Sequence, residues 1–315
     1  MSNPSILKPP LKWVGGKTQI IHEVLATFPP QMNNYYESFL GGGSVLLAFL
    51  SYVKAGKISL SGNVYASDLN GNIIALYNNI KSHCEALVTE VTALQNAYGG
   101  ITGTVVNRKA TTVAQSTTSC ESFYYYIRHE FNLLTPLDRL SVKGSAMMLF
   151  LNKACFRGIY REGPNGFNVP FGHYKQVRII DESMHIHIIS ELIQNVTFRH
   201  QSFHQALDNT STSNGDFVYV DPPYAPENAN SFVGYTATGF ALSDHEALFA
   251  ACKQLATKGA TFVMSNAAVP LVTDAFPGPE YETQVISCRR AINSKNPAAR
   301  TNEVIIRGSP TTGLV

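Results

Sequence analysis

Apolar residues recur along the chain in short runs bounded by turn formers, alternating with longer stretches of helical spacing. The sharpest run is Phe217-Val218-Tyr219-Val220, which breaks off at Asp221-Pro222-Pro223-Tyr224. A wholly apolar run of this length reads as a strand buried on both faces. Val64–Asp68, Val196–His200 and Thr261–Ser265 read as further strands, and a short strand leads from Tyr36 into Gly41-Gly42-Gly43. Helical spacing covers Ser44–Val53, Ile73–Ile80, His83–Tyr98, Ser122–Asn132, Lys143–Lys153, His185–Ile193 and Asp244–Lys258. The Thr/Ser-rich stretch Thr102–Ser119 reads as a mobile loop. Gln284–Cys288 and Glu303–Arg307 pair as a closing hairpin. Strand and helix alternate at both ends of the chain, which predicts an α/β, Rossmann-like, mostly parallel sheet with helices on both faces. Residues 1–72 and 179–315 would form that domain. The helical middle, 73–178, would be an insert carrying a β-hairpin between Phe156 and Tyr174.

Composition narrows this picture only a little. The chain has 315 residues, a size that fits a main domain with a smaller insert. It carries no apolar run long enough to span a bilayer and no signal-peptide pattern at the N-terminus. Five scattered cysteines without a C-x-x-C read as reduced intracellular thiols. His185-x-His187 has no third ligand nearby in the sequence and reads as structural, so no metal is expected. The net charge of +2 says little. Its distribution says more, because Arg139, Lys143, Lys153, Arg157, Arg161, Lys175 and Arg178 fall in one stretch with Glu162 as its sole acid. Such a local excess can neutralise phosphates.

The residues after the apolar run suggest a chemistry. The lone pair of a base's exocyclic amine is delocalised into the ring, so the amine is a poor nucleophile. A carboxylate and a backbone carbonyl, each accepting one N–H, would draw that nitrogen towards a tetrahedral geometry. Asp221 and the carbonyl of Pro222 supply such acceptors, Pro223 stiffens the turn, and Tyr224 offers a ring for stacking. A plain strand-terminating turn is the competing reading. The turn Gly41-Gly42-Gly43, ahead of a helix opening at Ser44, lets backbone approach a ligand. It lacks both the G-x-G-x-x-G spacing and a following Gly-Lys-Ser/Thr, so it points to another adenosine-bearing ligand. Asp68, ending a second strand, suits ribose hydroxyls, with an N-cap as the alternative.

Several motifs in order carry a resemblance: Lys12-Trp13-Val14-Gly15-Gly16-Lys17, Glu37-Ser38-Phe39-Leu40-Gly41-Gly42-Gly43-Ser44, Asp68-Leu69-Asn70, Phe167-Asn168-Val169-Pro170-Phe171-Gly172-His173-Tyr174, Asp221-Pro222-Pro223-Tyr224 and Met264-Ser265-Asn266. Over nearly its whole length the chain resembles the Dam-type DNA adenine-N6 methyltransferases. The resemblance implies S-adenosylmethionine as donor, double-stranded DNA as substrate, no metal and an intracellular, DNA-associated place. It implies catalytic roles for Asp221, Pro222, Pro223 and Tyr224. Donor contacts fall on Trp13, Lys17, Glu37, Phe39, Gly41, Gly43, Asp68, Ser202, Phe203 and Asp221. DNA contacts fall on Lys12, Phe156, Arg157, Ile159, Arg161, Pro170, His173 and Tyr174, with Phe156 intercalating and Arg161 reading a guanine of GATC. Arg157 stands where the family often has a small polar residue, and His173 where it has arginine, which bears on flanking contacts. N4-cytosine methylation, an RNA substrate and a non-catalytic DNA-binding protein stay open as alternatives. So does a cognate restriction endonuclease as partner.

Overall fold

A computed structural model describes residues 4–174, 177, 186–208, 213–226, 239–289 and 300–310. Lys175, Arg178 and His185 lie outside them. In chain order the first part runs α1 (Ile21–Ala26), β1 (Gln31–Met32), β2 (Tyr35–Glu37), α2 (Ser44–Lys54), β3 (Ser59–Leu60) and β4 (Val64–Asp68). Six helices follow: α3 (Gly71–Ser82), α4 (Cys84–Gly99), α5 (Val113–Ser116), α6 (Cys120–Leu133), α7 (Pro136–Arg139) and α8 (Val142–Ala154). Then come β5 (Glu162–Gly163), β6 (Gly166–Phe167), α9 (Ile186–Leu192), β7 (Val196–His200), α10 (Phe203–Asp208) and β8 (Phe217–Val220). The chain ends with α11 (Leu242–Thr257), β9 (Thr261–Ala267), α12 (Pro270–Thr273), β10 (Tyr281–Arg289) and β11 (Arg300–Gly308).

The central sheet has the order β10-β11-β9-β8-β2-β4-β7. The pairs from β9 to β7 are parallel, and the β10–β11 hairpin adds an antiparallel edge. This is the expected mostly parallel α/β sheet. The hairpin is longer than the sequence suggested, with pairing from Tyr281↔Gly308 to Arg289↔Arg300. Alternation along β8 explains its unbroken apolar character. Phe217 and Tyr219 join one buried cluster with α2 and α3, while Val218 and Val220 join another with α10 and α11. Both faces are covered, so the strand is apolar except for the Tyr219 hydroxyl, which finds a partner in Ser265 Oγ at 3.0 Å.

The helical middle shares the first of these clusters, which holds Phe150 of α8 and Ile80 of α3 together with Leu46 of α2 and Phe217 of β8. Ser119 and Ser141 cap α6 and α8 by accepting from the backbone N–H of Ser122 and Gly144. The stretch expected to be a mobile loop is tied to α6. It contains α5, pairs Thr104 with Ser119, and places Arg108 Nε 2.7 Å from Glu121 Oε1. Its Thr112 side chain caps α5, a polar pattern easily mistaken for an unstructured tract.

The order of strands sets the position of the site. From β2 the chain proceeds outward to β4 and β7, and later returns to β8 and β9 on the other side. A crevice therefore opens beyond the carboxyl ends of β2 and β8, the usual ligand position in open parallel sheets. Glu37 ends β2, Asp68 ends β4 and Asp221 follows β8 directly.

Candidate active site

Asp221 continues the alternation of Phe217 and Tyr219, so it emerges on the α2 face. There Lys17 Nζ lies 2.7 Å from Asp221 Oδ2, with the lysine side chain 3% exposed and the aspartate 17%. The same ammonium donates to the carbonyl of Gly15 at 2.5 Å and sits 4.9 Å from the Tyr224 ring centroid. A buried ammonium needs such partners to remain charged. Burial raises the Asp221 carboxyl to about 6, Lys17 pulls it down, and Glu303 pushes it up.

Two neighbours of this cluster were not read as functional from the sequence. The Tyr224 hydroxyl donates to Glu303 Oε2 at 2.8 Å, so the edge hairpin reaches into the site. Asn266, fully buried on β9, accepts the backbone N–H groups of Ala225 and Ala267 through Oδ1 at 3.0 and 2.8 Å. Those two bonds fix the orientation of its amide and anchor the loop after Tyr224. The motif Met264-Ser265-Asn266 hinted at Asn266, but nothing in the local pattern singles out Glu303 within a strand.

The glycine turn is shaped by three contacts. Gly43 caps α2 at φ +78, and a Cβ there would collide with the Tyr77 hydroxyl. Cβ atoms at Gly41 and Gly42 would meet the Trp13 side chain at 2.9 and 2.8 Å. The indole is thus pressed onto the turn. Gly41 N–H donates to Asp68 Oδ2 and Asn70 N–H to Asp68 Oδ1, both at 2.8 Å. Asn70, not Asp68, is the N-cap of α3. Burial raises the Asp68 carboxyl, against these two hydrogen bonds.

Glu37 is buried and accepts the Tyr35 hydroxyl through Oε2 at 2.6 Å. Burial raises it to about 8; that hydrogen bond opposes the rise, and the charges of Asp221 and Asp68 add to it. Phe39 stacks on Phe203 at 5.6 Å between centroids, and Phe240 packs on both. Phe240 is a further aromatic that sequence reading missed, since it stands next to no motif. Ser202 exchanges hydrogen bonds with Gln205, the Ser-x-x-Gln capping box that opens α10.

The DNA-contact candidates gather at a second place, beside Lys12. The loop from Phe156 to Tyr174 carries a minimal antiparallel hairpin, β5 with β6, as expected. Phe156 is 45% exposed, and the Arg157 guanidinium lies 5.2 Å from its ring. Arg157 adopts φ +57 and His173 φ +51, left-handed conformations that side-chain-bearing residues seldom take. Arg161 Nε donates to Asn168 Oδ1 at 2.6 Å. Lys12 Nζ lies 4.4 Å from the Tyr174 ring, Ile159 is half-buried, and Pro170 is exposed. Arg139, counted in the basic stretch, is paired with Glu162 at 3.1 Å. His187 Nδ1 lies 3.3 Å from Glu85 Oε1 and 3.5 Å from Cys84 Sγ.

A sequence profile described as "D12 class N6 adenine-specific DNA methyltransferase" matches residues 13–291. The chain belongs to that family. A type II methyltransferase of Methanocaldococcus jannaschii, M.MjaIII, is 32% identical over 267 residues, covering 82% of this chain and 84% of its own. The type II methyltransferase M1.LlaDCHI of Lactococcus lactis subsp. cremoris is 29% identical over 306 residues, 95% of each chain. The DNA adenine methylase of Escherichia coli (strain K12) is 27% identical over 288 residues, 90% of this chain and 88% of its own. Family membership makes the protein an adenine-specific DNA methyltransferase and implies use of S-adenosylmethionine.

Proposed function

We propose that the protein methylates N6 of an adenine flipped out of duplex DNA, within the sequence GATC. The carrying observation is the Asp221 carboxylate, at the end of β8 in the sheet's crevice, next to Lys17 and followed by Tyr224. The residues around it fit the donor. Phe39, Phe203 and Phe240 offer apolar walls for its adenine, and a Cβ at Gly15, beside Lys17, would meet nothing within 4 Å. Trp13, Lys17, Glu37, Gly41, Gly43, Asp68, Ser202 and Phe203 would hold it. When bound, it supplies an electrophilic methyl group on a sulfonium sulfur.

The chain's own residues orient the amine. Asp221 and the Pro222 carbonyl each accept one N–H, which turns the nitrogen lone pair out of the base plane. Tyr224 stacks on the base and Pro223 holds the turn rigid. Positioning of this kind contributes on the order of 7–11 kcal/mol over free encounter. Phe156 would fill the gap left by the flipped base. Arg161, steadied by Asn168, would read a guanine through O6 and N7, with Ile159 and Pro170 against a thymine methyl. Lys12 and Tyr174 would contact the first guanine, with Arg157 and His173 reaching flanking positions. Methylation of random-sequence duplex, with modified adenines mapped, tests the site: the modified set should share GATC. A set lacking it would refute this reading of the sequence while leaving the chemistry intact.

The charge on Asp221 sets a pH dependence. Lys17 holds Oδ2, so protonation of the carboxylate would break that ion pair and weaken the acceptor left for the amine N–H; burial raises this protonation to about 6. Single-turnover methyl transfer should therefore fall as pH drops through about 6 and level off above it. A rate flat from pH 5 to 8 would separate the carboxylate from the chemical step.

Glu303 is expected to act through Tyr224. A misplacement of about 1 Å in a group that orients the substrate can cost about 10²-fold in rate. Glu303→Ala should lower kcat roughly 10- to 100-fold, while Glu303→Gln, which still accepts the hydroxyl, should lose much less. Equal losses in the two variants would show that the charge, not the bond, matters.

A further inference from the structure

Asp68 is the hub of a closed ring of contacts that ends in the target-reading loop. On one side its Oδ2 holds Gly41 N–H, and Gly41 and Gly42 press against the Trp13 indole. The Trp13 ring packs on Tyr160 at 5.6 Å and 32°. On the other side Asp68 Oδ1 holds Asn70 N–H, Asn70 caps α3 by accepting from Asn72 N–H, and Asn72 Nδ2 donates to the Tyr160 hydroxyl at 2.8 Å. Both routes meet at Tyr160. That residue stands between Ile159 and Arg161, and its ring packs on Phe167 of β6 at 5.6 Å.

A second bracket keeps this ring closed. Asn152 of α8 accepts Lys12 N–H at 2.8 Å and donates to the carbonyls of Lys12 and Gly158, at 2.8 and 3.1 Å. The segment before Trp13 is thereby fixed to the loop before Tyr160. A ligand that moves Asp68 or the glycine turn has few ways to do so without also moving Tyr160.

We propose that Tyr160 is a positioning residue that couples donor binding to duplex binding. The inference rests on the methyltransferase reading above, with donor at Asp68 and the glycine turn, and DNA at Ile159 and Arg161. Coupling between two sites is reciprocal, so donor-site occupancy should tighten duplex binding and duplex should tighten the donor site by the same factor. Neither Trp13 nor Tyr160 needs to touch DNA for this to hold.

The test measures the duplex Kd by fluorescence anisotropy with and without saturating S-adenosylhomocysteine. The wild-type ratio should be about fivefold or more, the lower end of ordinary couplings. Tyr160→Leu should bring the ratio to within about twofold of one while S-adenosylhomocysteine alone binds as before. Tyr160→Phe and Asn72→Ala, milder changes in case the leucine variant misfolds, should each lower it part of the way. A wild-type ratio of one, or a wild-type ratio preserved in all three variants, would overturn the coupling. Failure of the wild-type protein to methylate duplex DNA would instead sink the reading on which it rests.

Discussion

Asp221→Asn is expected to reduce the methyl-transfer rate by about 10²- to 10³-fold, the usual cost of removing one preorganised polar contact from a reacting group. Asparagine keeps the volume and one carbonyl acceptor, but its amide presents N–H groups towards the amine. It also leaves the Lys17 ammonium without its carboxylate, at a site where the lysine is 3% exposed. Gly15 and the Tyr224 ring remain near that ammonium, so the fold should persist. Asp221→Ala would give a harsher version, because losing one partner of a buried pair typically costs about 3–5 kcal/mol of stability. The aspartate is partly exposed, which places this case towards the low end. Single-turnover kinetics on a GATC duplex, beside a duplex-binding assay, separates the two effects. Rate should collapse while binding stays within a few-fold.

Gly43→Ala should be strongly damaging although it lies away from the reacting groups. The residue sits at φ +78, a left-handed position that costs any L side chain roughly 1 kcal/mol. Its new methyl group would also strike the Tyr77 hydroxyl, which is fully buried and donates to the Gly42 carbonyl at 2.8 Å. The ring cannot retreat without breaking that bond. Overpacking of this kind costs about 1–3 kcal/mol, giving roughly 2–4 kcal/mol in all. Donor binding should fall with it, since Gly41 and the opening of α2 share the turn. Adding Tyr77→Phe removes the nearest struck atom and the bond that holds the ring, so the ring, whose Cζ would otherwise lie 2.7 Å from the new methyl, is free to move aside. Urea unfolding of both single variants and the double should show the double losing less than the two singles summed. Losses that simply add would mean that backbone strain, not the collision, dominates.

The parts of this site that the chain announces are those carried by local pattern. Phe217 to Val220 is apolar because both faces of β8 are covered, and the polar break that follows marks Asp221 at once. Gly41 and Gly43 show as a turn before an apolar helix for the same local reason. Long-range partners leave no such trace. The Lys17–Asp221 pair spans most of the chain, and Tyr224 meets Glu303 only because an antiparallel hairpin joins the edge of a parallel sheet.

Residues with two local meanings were legible only in part. Asp68 reads as a ribose acceptor ahead of a helix cap, and the structure gives the cap to Asn70 two residues later. Ser202-Phe203-His204-Gln205 contains a capping box, but the resemblance drew attention to Ser202 for the donor alone. The Thr/Ser-rich stretch before α6 looked unstructured because its polar side chains cap and bridge backbone instead of forming a periodic face. Tyr160 sat between two recognised positions and carried no signal of its own.

The central claim, that an adenine amine is held at Asp221 for methylation, is tested most directly by mass spectrometry of nucleosides from duplex DNA treated with the protein and S-adenosylmethionine. The account predicts N6-methyladenine with the wild-type protein and almost none with Asp221→Asn under the same single-turnover conditions. N4-methylcytosine as the product, or N6-methyladenine formed at the wild-type rate by Asp221→Asn, would contradict it.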